Sequence, residues 1–212
     1  GFIGSNLLKF LLKDNNIFLV NIDKISYSSD LAYQKRLTIE NKNNFKFINV
    51  DLLNEIQTRD AINFAKPDLV IHLAAESHVD RSINNPKKFL ESNTIGTFNL
   101  LEGSRIYWND LPINKKNIFK FIHVSTDEVY GSLTQFGKFS EKSAYNPSSP
   151  YSASKAASDH FVYAWYKTYS MPTIVSNCSN NYGPRQFPEK LIPLTILKVL
   201  KNLPIPIYGN GA

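Results

Sequence analysis

The chain has 212 residues, of which 42% are hydrophobic and 20% charged, proportions typical of a soluble globular protein with a sizeable core. No apolar run approaches the roughly 18 residues that a membrane helix needs, so we expect no membrane partner. The single cysteine, Cys178, excludes an internal disulfide and favours a reducing, cytoplasmic location.

The distribution of basic residues and histidines argues against two further classes of partner. The formal net charge is +6, but the lysines are scattered among asparagines and form no basic stripe, so we expect no nucleic-acid binding. A nucleotide substrate would still gain from the positive field. The four histidines have no metal-ligand spacing, and we therefore expect no metal site.

Apolar runs alternate with helical patterns along the chain. The runs predict buried parallel strands at residues 17–23, 45–51, 69–75, 119–126 and 173–178. Helical patterns occupy residues 2–13, 54–65, 86–108, 150–169 and 189–202, and loops are predicted at 111–117 and 137–150. This alternation predicts an α/β fold with a doubly wound parallel sheet of the Rossmann type.

Glycines and acids typical of dinucleotide binding occur early in the chain. Gly1 and Gly4 open the first predicted helix, where glycines let the backbone approach a pyrophosphate. Asp23 ends a strand about 20 residues later, where a carboxylate binds a ribose 2′-hydroxyl and repels a 2′-phosphate, which favours NAD over NADP. Asp51 ends the next strand and is expected to face the adenine. A turn-capping role is the alternative for both acids.

The segment after the predicted strand at 69–75 is a further candidate for ligand contact. Leu73, Ala74 and Ala75 include two small residues that would let a cofactor lie against the end of the strand. Ser77 follows them and is a candidate substrate contact.

Two groups of residues are suited to chemistry. Thr126, Asp127 and Glu128 place a hydroxyl and two acids side by side, an arrangement suited to removing water across two carbons if one carboxyl stays protonated and the other ionised. Tyr151 and Lys155 lie four apart on one helical face. We expect the ammonium to lower the pKa of the phenol, as a base near neutral pH requires, and the pair then suits hydride exchange with a nicotinamide. An ordinary surface pair is the alternative.

Five segments carry a family resemblance. They are residues 1–5, 75–83, 125–131, 151–155 and 177–184, the last running on into 186–191. Together they resemble the dTDP-glucose 4,6-dehydratases, which belong to the extended short-chain dehydrogenases/reductases. The Thr-Asp-Glu triplet at 126–128 and the Ser-Asn-Asn-Tyr-Gly-Pro segment at 179–184 are more specific than the Tyr/Lys pair.

The resemblance implies a role for each of the five reactive residues. Tyr151 would take the proton from the sugar C4 hydroxyl while hydride passes to NAD⁺. Thr126 would hydrogen-bond the C4 oxygen, and Lys155 would hold the cofactor ribose and tune Tyr151. Glu128 would remove the C5 hydrogen as a base, and Asp127 would protonate the departing C6 hydroxyl.

The resemblance also implies two sets of contacts and a division into domains. Beside the residues above, matching cofactor contacts are Phe2, Ile3, Lys24, Leu52, Ser92 and Asn181. Matching substrate contacts, for dTDP-glucose, are Ser77, Asn180, Lys190, Leu191, Pro206, Ile207 and Tyr208. Residues 1–178 would form an NAD-binding domain, and 179–212 would begin the nucleotide-sugar-binding region. Since the chain opens without Met and ends in a turn-like segment, we expect both parts to be incomplete.

Proteins of this family are commonly homodimers, which predicts a second copy as partner through the helices at 86–108 and 150–169. Phe161, Trp165 and Tyr169 would supply that face, or else belong to the core. Two alternatives to a dehydratase stay open. One is a related 4-epimerase or decarboxylase, which needs no acid for a leaving group at C6. The other is an inactive NAD-fold protein that acts by binding.

Overall fold

The predicted alternation of strands and helices is present in the computed structural model, which describes residues 1–133 and 137–207. The strands are β1 (Leu19–Asp23), β2 (Phe45–Asn49), β3 (Leu69–His72), β4 (Lys120–Thr126) and β5 (Thr173–Cys178). The helices are α1 (Phe2–Leu11), α2 (Leu31–Glu40), α3 (Glu55–Ala65), α4 (Val79–Asn84), α5 (Pro86–Phe89), α6 (Gly96–Asn109), α7 (Ile113–Ile118), α8 (Pro150–Tyr169) and α9 (Leu191–Leu200). The α/β prediction is confirmed.

Parallel pairing links the three strands that lead to the candidate site. β4 lies between β3 and β5, with Leu69 opposite Lys120 and Phe121 opposite Thr173. β1 and β2 form a separate pair. Because parallel strands end at the same edge of a sheet, this register brings the carboxyl ends of β3, β4 and β5 to one edge.

The chain divides into two compact units. The first unit contains Gly1–Leu19, Ile25–Phe45 and the described residues from Asn180 on, and the second contains Val20–Lys24 and Lys46–Ser179. The three-stranded sheet and the main hydrophobic core belong to the second unit. That core comprises Ile62, Leu100, Leu101, Phe119, Phe121, Val162, Trp165 and Met171.

Helix α8 has strong local signals at both ends. Ser149 and Ser152 form a capping box, with Pro150 in the first turn, where a missing N–H costs nothing. The helix ends at Ser170 in the left-handed region, with φ of 56°. These signals explain why the sequence predicts its bounds.

A single helical path runs from Pro86 to Asn109, close to the predicted 86–108, but it is not uniform. Its middle, Leu90–Ile95, is π-helical, between α5 and α6. The carbonyl oxygen of Asn93, within this π segment, accepts hydrogen bonds from the hydroxyls of Thr97 and Ser158. π segments of this kind are frequent at functional sites.

Some predicted elements differ from the structure. The loop predicted at 111–117 is wrong, since most of it forms α7, whose first turn closes when the N–H groups of Lys115 and Lys116 bond the Pro112 carbonyl. Helix α2 was not predicted, although Asp30 caps it by accepting from the Tyr33 N–H. β3 ends at His72, three residues earlier than expected. No helix in the described part of the chain is long and apolar enough to cross a membrane.

Candidate active site

The acid pair lies on a short turn at the end of β4. A 3₁₀ helix spans Asp127–Tyr130, and the Thr126 hydroxyl caps it by accepting from the Glu128 N–H at 3.2 Å. Thr126 is buried, while Asp127 and Glu128 are half-buried. Gly131 ends the turn with φ of 89°, and a Cβ there would lie 2.5 Å from the Asn146 carbonyl oxygen. Only glycine fits this position without a backbone shift.

Tyr151 lies beside this turn, in the first turn of α8. It is buried, and burial raises the pKa of its phenol to about 12, with the Glu128 carboxylate adding to the rise. A hydrogen bond with Thr126 lowers this pKa, while Cys178 and Asp127 raise it. The structure therefore brings Tyr151 together with Thr126, Asp127 and Glu128.

Lys155 follows one helical turn later and is buried more deeply. Its Nζ donates to the Val124 carbonyl at 2.9 Å and lies 3.3 Å from His123 Nε2. Burial lowers the pKa of Lys155 to about 8, and the interactions of Lys155 with Asp159 and Cys178 oppose this shift. The ammonium thus turns toward the backbone of β4.

The expected effect of Lys155 on Tyr151 is wrong for this structure. The pKa of Tyr151 is raised, not lowered, because desolvation and the neighbouring Glu128 carboxylate both disfavour the phenolate. The sequence spacing places the two side chains on one helix face, but it does not reveal how deeply both are buried.

Several predicted cofactor positions meet around Lys24, directly after β1. The Lys24 ammonium lies 3.5 Å from the Ser92 hydroxyl and 3.9 Å from the Asp51 carboxylate. It also lies 3.8 Å from Glu76, which pairs with Lys88 at 3.0 Å. Asp23, at the end of β1, accepts from the Val50 N–H and the Asn49 side chain through its backbone carbonyl. The Leu52 carbonyl accepts from Asn99 at 2.7 Å.

The side chain of Asn93 holds the loop that follows β3 in place. This role of Asn93 was not predicted from the sequence. Leu73, Ala74 and Ala75 run without regular structure into Glu76 and Ser77. The Asn93 amide bonds both the N–H and the carbonyl of Glu76, at 2.8 and 2.9 Å, and also the Ser154 hydroxyl at 2.9 Å. It therefore links this loop to the helix that carries Tyr151 and Lys155. Its asparagine side chain inside a helical pattern gives no sequence signal of this role.

The first unit contains the other predicted contacts. Gly1 is the N-cap of α1, whose first turn has no acid, and a Cβ at Gly1 or Gly4 would meet nothing within 4 Å. Phe2 and Ile3 begin the helix. The Asn181 carbonyl accepts from Gln186 at 3.0 Å, in the loop that Asn180 begins.

The remaining substrate positions lie near α9. Lys190 is its N-cap and Leu191 its first residue, 70% exposed. Pro206 and Ile207 are exposed, and Tyr208 lies outside the described residues.

The residues present suit a dinucleotide. In the first unit, Gly1 and Gly4 lie at the N-terminus of α1, the kind of position at which backbone N–H groups bind a pyrophosphate. In the second unit, the carboxylate-bearing end of β1 and the Lys24 ammonium offer partners for ribose and phosphate. No group of three metal-binding side chains was found among residues 1–133 and 137–207.

Comparison with known proteins identifies the family. Residues 1–212 match the family described as GDP-mannose 4,6 dehydratase. The chain belongs to this family. Among curated members, it is 53% identical to a probable dTDP-glucose 4,6-dehydratase of Sinorhizobium fredii and 49% identical to a dTDP-glucose 4,6-dehydratase of Neisseria gonorrhoeae. Each alignment covers the whole chain, which spans about 60% of the length of these relatives. The resemblance found in the sequence is confirmed.

Solved structures of similar proteins have the same fold. A dTDP-glucose 4,6-dehydratase from Bacillus anthracis, in complex with NAD, superposes with a TM-score of 0.85 at 39% identity and covers all of this chain and 62% of its own. One from Streptomyces venezuelae, also with NAD, gives 0.89 at 34%, covering 100% and 63%. A UDP-glucuronic acid 4-epimerase from Bacillus cereus gives 0.85 at 30%, covering 100% and 64%. The fold is therefore common to dehydratases and epimerases.

Proposed function

We propose that the full-length protein is an NAD-dependent lyase that converts dTDP-glucose into dTDP-4-keto-6-deoxyglucose. One observation carries this proposal: the side chains of Tyr151 and Thr126 lie beside the turn that carries the acid pair Asp127 and Glu128. A 4-epimerase needs the phenol and the hydroxyl, but it has no leaving group at C6 that requires an acid. The names of the relatives at about 50% identity support the same choice.

The cofactor is NAD, and within the second unit the end of β1, the Lys24 ammonium and the Asp51 carboxylate would bind its ribose and phosphate groups. When bound, NAD⁺ supplies a hydride acceptor and a positive charge that favours the phenolate. Tyr151 has its pKa raised to about 12 in the structure, so it is protonated at neutral pH until that charge is present. We therefore propose that the cofactor binds before Tyr151 acts as a base.

Four side chains of the protein then have separate roles in the reaction. Tyr151 accepts the proton of the C4 hydroxyl, whose oxygen Thr126 holds, and the C4 ketone acidifies the C5 hydrogen. Glu128 removes that hydrogen as a base, and Asp127 donates a proton to the C6 hydroxyl, which leaves as water. The hydride taken from C4 returns to C6 and Glu128 gives its proton back to C5, so the sugar undergoes no net oxidation or reduction. The proton that Tyr151 accepted replaces, through solvent, the one that Asp127 gave to the departing water.

The larger assignments follow from the same proposal. Residues 1–178 would carry the cofactor, and 179–212 would begin the nucleotide-sugar region, with Ser77, Asn180, Lys190 and Leu191 among the substrate contacts. We place the enzyme in the cytoplasm, as its cysteine usage predicts.

The partner we propose for the α6 and α8 surface is a second copy of the protein. Trp165 belongs to the core, but Phe98 and Phe161 keep more than a third of their surface exposed and stack edge-to-face. An aromatic pair of this kind suits an interface between copies. Phe161→Asp should shift the full-length protein from dimer to monomer in sedimentation velocity, and an unshifted dimer would place the interface elsewhere.

The direct test of the function is product analysis. Purified full-length protein is incubated with NAD⁺ and dTDP-glucose, and the sugar nucleotide is identified by proton NMR. We expect a methyl signal from C6 and a 4-ketone. A 4-epimer that retains the C6 hydroxyl would overturn the proposal, and so would unchanged substrate.

A further inference from the structure

A buried carboxylate lies behind the Tyr151–Lys155 pair and has no place in the steps above. Asp159 is one helical turn beyond Lys155 on α8 and 3% exposed. One of its oxygens, Oδ2, accepts from the hydroxyls of Ser125 at 2.8 Å and Tyr145 at 2.9 Å, and from the Asn177 amide at 3.4 Å. Three donors thus converge on one oxygen of this buried side chain.

His123, on β4, connects this carboxylate to Lys155. Its Nε2 lies 3.2 Å from Asp159 Oδ1 and 3.3 Å from Lys155 Nζ. Burial, with Lys155 nearby, lowers the pKa of His123 to about 4, so the ring is neutral at physiological pH. His123 Nε2 therefore lies between two opposite charges without adding one of its own, and it can donate to Asp159 or accept from Lys155 according to its tautomer.

The charge on Lys155 depends on the balance of two opposing effects. Burial lowers the pKa of Lys155 to about 8, and the negative charge of Asp159 is the largest of the effects that oppose this. The other ionisable groups facing this cluster come from every neighbouring element: Tyr151 on α8, His72 on β3, Cys178 on β5, Tyr145 in the preceding loop, and Glu128 and Tyr130 on the 3₁₀ turn. His72 is neutral for the same reason as His123, since burial lowers its pKa too.

We propose that Asp159 is a positioning residue that keeps Lys155 in its charged form, through the His123 bridge, over the pH range in which the enzyme works. This proposal rests on the proposed function, because the charge of Lys155 matters for turnover only if Lys155 holds the cofactor ribose. The i, i+4 spacing of Tyr151, Lys155 and Asp159 gives the three groups one helix face. We assign Asp159 no contact with the sugar or the cofactor, and it acts only through Lys155.

The test compares Asp159→Asn with a matched control, Tyr145→Phe, in the full-length protein. Asparagine keeps the shape, its oxygen can still accept from Ser125 and Tyr145, and its amide can donate to His123, so the charge is the main loss. Tyr145→Phe removes one donor to the same carboxylate and keeps the charge. Product formation is measured between about pH 6 and pH 9.

Asp159→Asn removes the negative charge that lies close to Lys155, so the pKa of Lys155 should fall. The alkaline limit of kcat should then move down by about 1 to 2 pH units. Asp159→Asn should therefore be within about threefold of wild type near pH 6 and about 10- to 100-fold slower near pH 8.5. Tyr145→Phe should give a curve parallel to wild type at all pH values. A pH-independent loss in Asp159→Asn would show a merely structural role and overturn the proposal.

A second measurement does not depend on turnover. The folded-state pKa of Lys155, about 8, is below the ordinary value of 10.5, so between these values the unfolded chain binds more protons and stability rises with pH. In Asp159→Asn this rise should begin about 1 to 2 pH units lower in urea unfolding, whereas in Tyr145→Phe it should begin where it does in wild type. An identical onset in Asp159→Asn and wild type would overturn the proposal.

The two proposals fail in different ways. If wild type makes no dehydrated product, the proposed function fails, while the unfolding curves still measure the influence of Asp159 on Lys155. If Asp159→Asn does not fold, Asp159→Ser, neutral and smaller, replaces it in both measurements with the same expected shifts. Normal product from wild type with unshifted curves in these variants would refute the role of Asp159 alone.

Discussion

The two halves of the candidate site, both in the second unit, are built in different ways. Tyr151 and Lys155 lie on a 20-residue helix with a capping box, and both are buried. Asp127 and Glu128 lie on a four-residue 3₁₀ turn and are half-buried. A long buried helix fixes the groups proposed for oxidation, while a short turn carries those proposed for elimination. Changes to the turn should therefore alter elimination and leave oxidation in place.

Removing the phenol should have the largest effect. Tyr151→Phe keeps the buried ring and loses the group proposed to accept the C4 proton, so turnover should fall by about 10⁴-fold. Because oxidation comes first, no transient NADH should form in stopped-flow absorbance. NADH formation at the wild-type rate would remove Tyr151 from the first step.

Changing the base on the turn should separate the two halves. Glu128→Gln keeps the size and loses the basic oxygen, so turnover should fall by about 10³-fold, with oxidation retained. NADH should then accumulate, and exchange of the C5 hydrogen with deuterated water should disappear. Persistent C5 exchange would mean that another group is the base.

Changing the acid should have a smaller effect that can be reversed. Asp127→Asn loses the transferable proton, and turnover should fall by about 10²-fold while NAD affinity stays at the wild-type value. In a dTDP-glucose analogue with fluorine at C6, fluoride can leave without that proton. The variant should therefore recover much of the lost rate with this analogue. If the defect is the same with the fluoro analogue, Asp127 has a structural role.

Weakening the helix cap should have the smallest effect and should fall on stability. Ser149→Ala removes the side-chain acceptor for the Ser152 N–H, which should cost about 1 kcal/mol of unfolding free energy. Urea unfolding measures it, with Ser140→Ala in the neighbouring loop as a control outside the helix. A loss of several kcal/mol would mean that α8 depends on its cap far more than its buried face indicates.

Elements with clear local signals were predicted well from the sequence, and elements without such signals were missed. The bounds of α8 and β5 are predicted to the residue. Ser149-Pro150 starts α8, and the β-branched residues Thr173, Ile174 and Val175 start β5. Helix α2 was missed because only Tyr33 and Leu37 give it a buried side. The π segment has no period of its own, so its sequence predicts an ordinary helix.

The candidate site was predictable in its residue types but not in its electrostatics. Short motifs identify Thr126, Asp127, Glu128, Tyr151 and Lys155, and the structure places these side chains near one another. The roles assigned to them remain predictions. The raised pKa of Tyr151 and the link from Lys155 to Asp159 depend on how α8 packs against β4, which no local pattern encodes.

The π-helical turn at Leu90–Ile95 makes the length of its helix matter more than its composition. Such a turn holds one residue more than an α-helical turn, which offsets the side chains on its two sides by about 100°. A single-residue deletion here would restore α geometry and rotate Asn93 away from the loop it holds. Homologous chains should accordingly tolerate many substitutions along this stretch while keeping the number of residues between Phe89 and Gly96 constant.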